Sequence, residues 1–132
     1  MIVIADSSAL VALSICDCLS VLDELFGEVK VPPAVYDEVC ILGKAESKSL
    51  STYLQDKVCD ISTVIHIEKT NGLGKGELAA INLYKQLAAD LLLIDDARAK
   101  KIAYINNVEV MGSSDIFISD HLLERLLVIA GE

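Results

Sequence analysis

Tryptophan is absent from this chain, and its aromatic side chains are confined to four tyrosines and two phenylalanines. The apolar fraction is nevertheless 53%, with a mean hydropathy of +0.49. A core therefore has to be built from Leu, Ile, Val and Ala, a composition suited to parallel strands buried beneath helices. No apolar stretch approaches the roughly 18 residues of a membrane helix, so no membrane partner is expected. The opening segment lacks a basic leader, and Asp6 interrupts it almost at once, which argues against a secretory signal and for a cytoplasmic protein. Proline occurs only twice, and no Pro/Gly-rich linker, repeat or low-complexity segment divides the 132 residues. A single domain over residues 1–132 is expected, large enough for one core without staples.

Zinc and disulfide frameworks are poorly supported. Cys16-Asp17-Cys18 has one intervening residue rather than the two to four usual for zinc, and Cys40, Cys59, His66 and His121 are isolated. Free, buried thiols are the simpler account. Cationic residues are scarce, with 11 Lys+Arg against 20 Asp+Glu and a net charge of −9. That balance argues against tight non-specific nucleic-acid binding by this chain alone, although cations held by carboxylates would offset part of it. A nucleotide cradle is also missing, because Gly74-Lys75-Gly76-Glu77 lacks the spacing and the Lys-Ser/Thr pair of a P-loop.

Apolar runs alternate with helical periodicity along the chain. Met1–Ala5 reads as a strand, followed by a helix with Leu10, Val11, Leu13 and Ile15 that Ser7 or Ser8 can cap. A second helix carries Leu19, Leu22, Leu25 and Phe26 and stops at Gly27. Val29–Val31 is a short strand, Pro32-Pro33 opens a helix to about Leu42, and Gly43 closes it. Residues 44–57 read as an exposed helix with Leu50, Tyr53 and Leu54 inward. Val58–Ile61 and Val64–Ile67 look like strands, and Thr70–Gly74 like a loop. A helix from Lys75 carries Leu78, Ile81, Leu83, Tyr84 and Leu87. Then follow a strand at Leu91–Ile94, a helix through Ile105, a strand at Val108–Met111 and a last helix capped by Ser119. This alternation predicts an α/β fold, a doubly wound parallel sheet with helices on both faces in three layers.

Two apolar runs end in carboxylates, Asp6 after the first strand and Asp95-Asp96 after Leu91–Ile94. In open α/β sheets, chemistry gathers outside the carboxyl ends of the strands. Asp6 equally suits a helix N-cap, with Ser7 and Ser8 competing for that duty. A helix start needs one capping carboxylate rather than two, so Asp95 can hydrogen-bond the loop while Asp96 turns inward. Glu77 occupies the first turn of a helix, where the dipole alone favours it, and Glu38 beside Asp37 resembles solvated surface near an inward face. Brought together, these carboxylates would repel one another unless a cation sat among them. Mg²⁺ and Mn²⁺ take hard oxygen ligands and keep several waters, and a pair of such ions roughly 3.5–4 Å apart serves in-line phosphodiester displacement. Ser7 or Ser8 could orient a ligand there.

As a set, Ile4-Ala5-Asp6-Ser7-Ser8, Val31–Val39, Gly74–Ile81 and Leu93–Ala99 resemble PIN-domain proteins, in the archaeal and bacterial branch related to VapC-type toxins. The resemblance implies an Mg²⁺- or Mn²⁺-dependent ribonuclease. Its catalytic set would be Asp6, Glu38, Glu77 and Asp96, its metal set Asp6, Glu77, Asp95 and Asp96, with Ser7 and Ser8 in support. It further implies an RNA substrate, a small antitoxin as partner, and a homodimer or higher homo-oligomer. After Met111 the chain departs from the family pattern, passing through Gly112-Ser113-Ser114-Asp115 almost directly to the closing segment Ile116–Asp120, as if an internal helical piece were missing. A degenerate domain serving RNA or protein assembly is the alternative. A phosphoacceptor receiver fits worse, since its acidic pair belongs after the first strand and Val108–Ser114 offers no lysine.

Overall fold

The computed structural model describes residues 1–41 and 45–116. Four parallel strands form one sheet in the order β2-β1-β3-β4, with β1 at Ile2–Ala5, β2 at Glu28–Lys30, β3 at Leu91–Leu93 and β4 at Val110–Met111. Helices cover both faces: α1 (Ser7–Ile15), α2 (Leu19–Phe26), α3 (Pro33–Ile41), α4 (Ala45–Leu54), α5 (Lys75–Leu87) and α6 (Ala97–Ile105). The three-layer α/β/α expectation holds. The expected stop at Gly43, the helix after Ser119 and the closing segment beyond Ile116 lie outside the described residues.

Burial explains the strand order. Val3, Ile4 and Ala5 of β1, with Leu92, Leu93 and Ile94 in and after β3, are fully buried, as central parallel strands must be. On the edge, β2 exposes Glu28 and buries Val29. From β1 the chain steps one way to β2, then returns across β1 to β3, so the winding direction reverses between β1 and β3. That reversal opens a crevice at their carboxyl ends. The Asp6 amide donates to Leu93 O at 2.8 Å, which carries the β1–β3 pairing up to the mouth of the crevice.

Helix boundaries follow local chemistry. Gly27, at φ 85°, ends α2, and Pro33 is the first residue of α3, where its missing N–H costs no helical bond. Leu50 and Leu54 of α4 are buried as expected. The cap of α1 is Asp6 itself, whose side chain accepts from the Ser8 amide, rather than Ser7 or Ser8. The cysteines are not joined in disulfides, and of the four only Cys18 is buried, while Cys16 is exposed.

Two expected strands are not formed. Val58 makes a single parallel bridge to Val31, and residues 59–73 then run as irregular chain. Helix carboxamides replace the strand partner. Gln86 Oε1 accepts from the Ser62 and Thr63 amides at 2.9 and 3.2 Å. Asn82 Oδ1 accepts from the Ile65 amide at 2.8 Å, while Asn82 Nδ2 donates to Thr63 O at 2.8 Å. Asn106 treats Glu68 in the same two-way manner, at 2.9 and 3.0 Å. These backbone groups are satisfied from the helices instead of by a ladder, and Val64 is left 93% exposed. Leu78 of α5 is also exposed, while Ile81 and Leu83 are buried.

Asn82 is the buried member of this set, so Asn82→Ala leaves two backbone groups without partners. A loss of about 2 kcal/mol in urea unfolding is expected, with faster amide exchange at Ile65. Unchanged stability and exchange would show that the strap is held by other means.

Candidate functional site

Asp6, Ser7, Ser8, Glu38, Glu77 and Asp96 line one open hollow of about 450 Å³, together with Val11, Gly74 and Gly76. It lies at the carboxyl ends of β1 and β3. Each wall has its own origin: Asp6 leaves β1, Glu38 comes from α3, Glu77 from the first turn of α5, and Asp96 caps α6. Four carboxylates far apart in sequence therefore share one depression.

Every one of them has one oxygen tied to the protein. Asp6 Oδ2 accepts from the Ser8 amide at 3.3 Å and the Ser8 hydroxyl at 2.9 Å. Glu38 Oε1 accepts from Ser7 Oγ at 3.0 Å, Glu77 Oε1 from the Gly74 amide at 2.8 Å, and Asp96 Oδ2 from the Ala99 amide at 2.8 Å. The capping roles read from the sequence are thus real, yet each occupies half of a carboxylate. Asp6 Oδ1 is the sharpest case, being buried with no hydrogen-bond partner among the described residues. An orphaned anionic oxygen of this kind is costly without a compensating ligand.

Electrostatics agree with that geometry. Burial pushes the Asp6 carboxyl up to about 6; the Ser8 hydroxyl and amide pull it down, and the charge of Glu77 pushes it up again. Glycine admits Glu38 to the site, since a Cβ on Gly76 would collide with the Glu38 carboxylate.

Asp95, a member of the expected metal set, does not line this hollow. Its carboxylate turns to the chain after β4, where Oδ1 accepts from the Ser113 amide at 2.6 Å and Oδ2 from the Ser113 hydroxyl at 2.7 Å. Ser113 was not singled out from the sequence; a serine directly after the strand neighbouring β3 was the available signal. Val11, read only as a core residue, also borders the hollow.

The donor set consists of hard oxygens, which fits Mg²⁺ or Mn²⁺, and the orphaned Asp6 oxygen marks where a cation would be compensated. Among the described residues no three His, Cys, Asp or Glu side chains are close enough to hold one ion by themselves. Ions that keep several waters require fewer protein ligands than that.

Residues 2–131 match a family profile described as a PIN domain (DUF3368). The chain belongs to the PIN-domain family. Its fold is similar to that of a PilT N-terminus domain protein from the hyperthermophilic archaeon Sulfolobus solfataricus P2, with a TM-score of 0.67 and 18% identity over 90% of this chain and 92% of the other. No curated protein sequence matches the chain. Among the described residues, no helix of this PIN domain is long and apolar enough to cross a membrane.

A raised carboxyl pKa means that the folded PIN domain holds a proton on Asp6 that the unfolded chain has already released, between the ordinary value of 3.8 and about 6. Stability from this group is therefore greatest below about pH 4 and falls as pH rises towards 6, by on the order of 3 kcal/mol. In chelator, wild type should gain stability over Asp6→Asn by that order between pH 7 and pH 4, because asparagine keeps the cap but cannot titrate. Parallel stability curves for the two proteins would contradict the assignment.

Proposed function

We propose that this PIN domain is a divalent-metal-dependent endoribonuclease acting as the toxin of a toxin–antitoxin pair. The observation that carries the reading is the convergence of Asp6, Glu38, Glu77 and Asp96 on one hollow, each with an oxygen left over. Membership of the PIN family supports nuclease chemistry, RNA as substrate and use of divalent ions. The VapC-like motif set supports the toxin assignment, a small antitoxin as partner, and a homodimer or higher homo-oligomer. A basic antitoxin segment would suit the net charge of −9. The shortened stretch after Met111 belongs to this reading as well, with a neighbouring copy covering the flank it leaves.

Asp6, Glu77 and Asp96 would hold Mg²⁺ or Mn²⁺, with Glu38 beside them. A bound divalent ion supplies a polarised water and screens the charge of the scissile phosphate. The protein's own part is orientation. Ser8 fixes Asp6 Oδ2, so that Oδ1 faces its ligand in one rotamer. Ser7 fixes Glu38 Oε1, leaving Oε2 to accept a proton or to hydrogen-bond water. The Gly74 and Ala99 amides restrain Glu77 and Asp96 in the same way, so little reorganisation is left for the reacting state.

One observation favours a second reading, a degenerate PIN domain that binds RNA or protein without cutting: among the described residues no three carboxylates are gathered tightly enough to hold an ion alone.

With Mg²⁺ or Mn²⁺ the purified protein should cleave RNA, and Asp6→Asn or Asp96→Asn should lower kcat at least a hundredfold with the fold intact by circular dichroism. Wild type that binds RNA yet cuts none with either ion would defeat the enzyme reading in favour of the binding module. Gly76→Ala should retain wild-type stability within about 1 kcal/mol, because alanine favours the helix, while Mn²⁺ affinity falls as Glu38 is displaced. Unchanged affinity by calorimetry would remove Glu38 from the site.

A further inference from the structure

We infer that Asp95 is a positioning residue for the carboxylate site, acting through hydrogen bonds rather than by holding a cation. This role presupposes the metal-dependent nuclease reading. Both Asp95 oxygens are committed to one residue, Oδ1 to the Ser113 amide at 2.6 Å and Oδ2 to the Ser113 hydroxyl at 2.7 Å. The clasp ties the end of β3 to the chain just past β4. Gly112, next to Ser113, is buried, and a Cβ there would meet Lys100 Nζ at 2.8 Å and Asp95 Oδ1 at 3.2 Å. Lys100 Nζ and Asp95 Oδ1 therefore both lie against Gly112, next to the clasp.

The clasp reaches the site along two routes. The Asp95 amide donates to Ser8 Oγ at 3.0 Å, and Ser8 Oγ donates to Asp6 Oδ2 at 2.9 Å. A hydroxyl has one proton, and the Asp95 amide occupies an acceptor position on that oxygen, which leaves the Ser8 proton directed at Asp6. Asp6 Oδ2 is held, and Oδ1 is the oxygen left free. The second route is the chain itself. Asp96 follows Asp95 directly, at φ −65° and ψ 124°, and from there caps α6 and borders the hollow. Pinning Asp95 between Ser113 and Ser8 thus sets the direction in which Asp96 leaves the sheet. Adjacent aspartates would then have divided the work, one facing the chemistry and one facing the frame.

Asparagine separates a hydrogen-bonding role from an ionic one. The Asn Oδ1 can accept from the Ser113 amide while its Nδ2 donates to the Ser113 hydroxyl, so Asp95→Asn preserves the clasp and removes the charge. Four variants would be compared with wild type for Mn²⁺ affinity by calorimetry and for kcat and KM on a single-stranded RNA: Asp95→Asn, Asp95→Ala, Ser113→Ala and Asp96→Asn. Expected are Asp95→Asn within about threefold of wild type, and Asp95→Ala weakened 10–100-fold in Mn²⁺ affinity and kcat with KM unchanged. Ser113→Ala should move in the same direction by less. Loss in Asp95→Asn as deep as in Asp96→Asn would overturn the proposal, since the charge would then be what matters; so would wild-type values in Ser113→Ala. Should Asp95→Ala fail to fold, the Asp95→Asn and Ser113→Ala results still decide. An inactive wild type without Mn²⁺ binding overturns the nuclease reading and this role with it, whereas an active wild type beside an inactive Asp95→Asn overturns this role alone.

Discussion

Burial of the Asp6 carboxyl, which the fold carries to the floor of a hollow shared with other carboxylates, is the constraint on which the rest of this PIN domain depends. Asp6 is carried into the interior by the fully buried strand β1, and Glu77 on α5 is close enough to raise its proton affinity. Buried carboxylates near one another favour protonation, or a cation between them. One Asp6 oxygen has no partner within the described protein, so this arrangement is destabilising by itself. Strain of this kind persists where the surrounding structure over-determines it and where a ligand relieves it, as at functional sites.

That over-determination is visible in the frame around the hollow. The β1–β3 pairing continues into Asp6 through its amide, Ser8 joins Asp6 to Asp95, and Asp95 is clasped by Ser113 beyond β4. Three strand ends are thereby linked by short polar bonds. Glu38, Glu77 and Asp96 are each anchored through a single oxygen. The second oxygen of each is left without a protein anchor among the described residues, which suits the proposed role of the site.

Much of this was legible in the sequence, and for physical reasons. Apolar runs ending in Asp6 and Asp95-Asp96 gave strands and crevice together, because burial on both faces leaves a near-continuous hydrophobic signature. The segment 58–67 misled for a related reason. Its β-branched residues fit strand periodicity, but the carboxamides of Asn82, Gln86 and Asn106 satisfy its backbone, and side-chain ladders across 17 to 38 residues have no local signal. That Asp95 could bond the loop while Asp96 turned inward was readable from sequence, but the partner of Asp95 was not, since Ser113 lies beside β3 only after β4 has paired. Capping and ligation were set against each other as rival readings of Asp6, Glu77 and Asp96, yet the two oxygens of a carboxylate allow both.

The convergence claim is tested most directly by anomalous diffraction from crystals grown with Mn²⁺. An anomalous peak in the hollow, contacted by the free oxygen of Asp6 and by Asp96, with Asp95 still on Ser113, is the predicted result. A hollow without a peak at saturating Mn²⁺, or a peak held by Asp95 in place of Asp6, would contradict it.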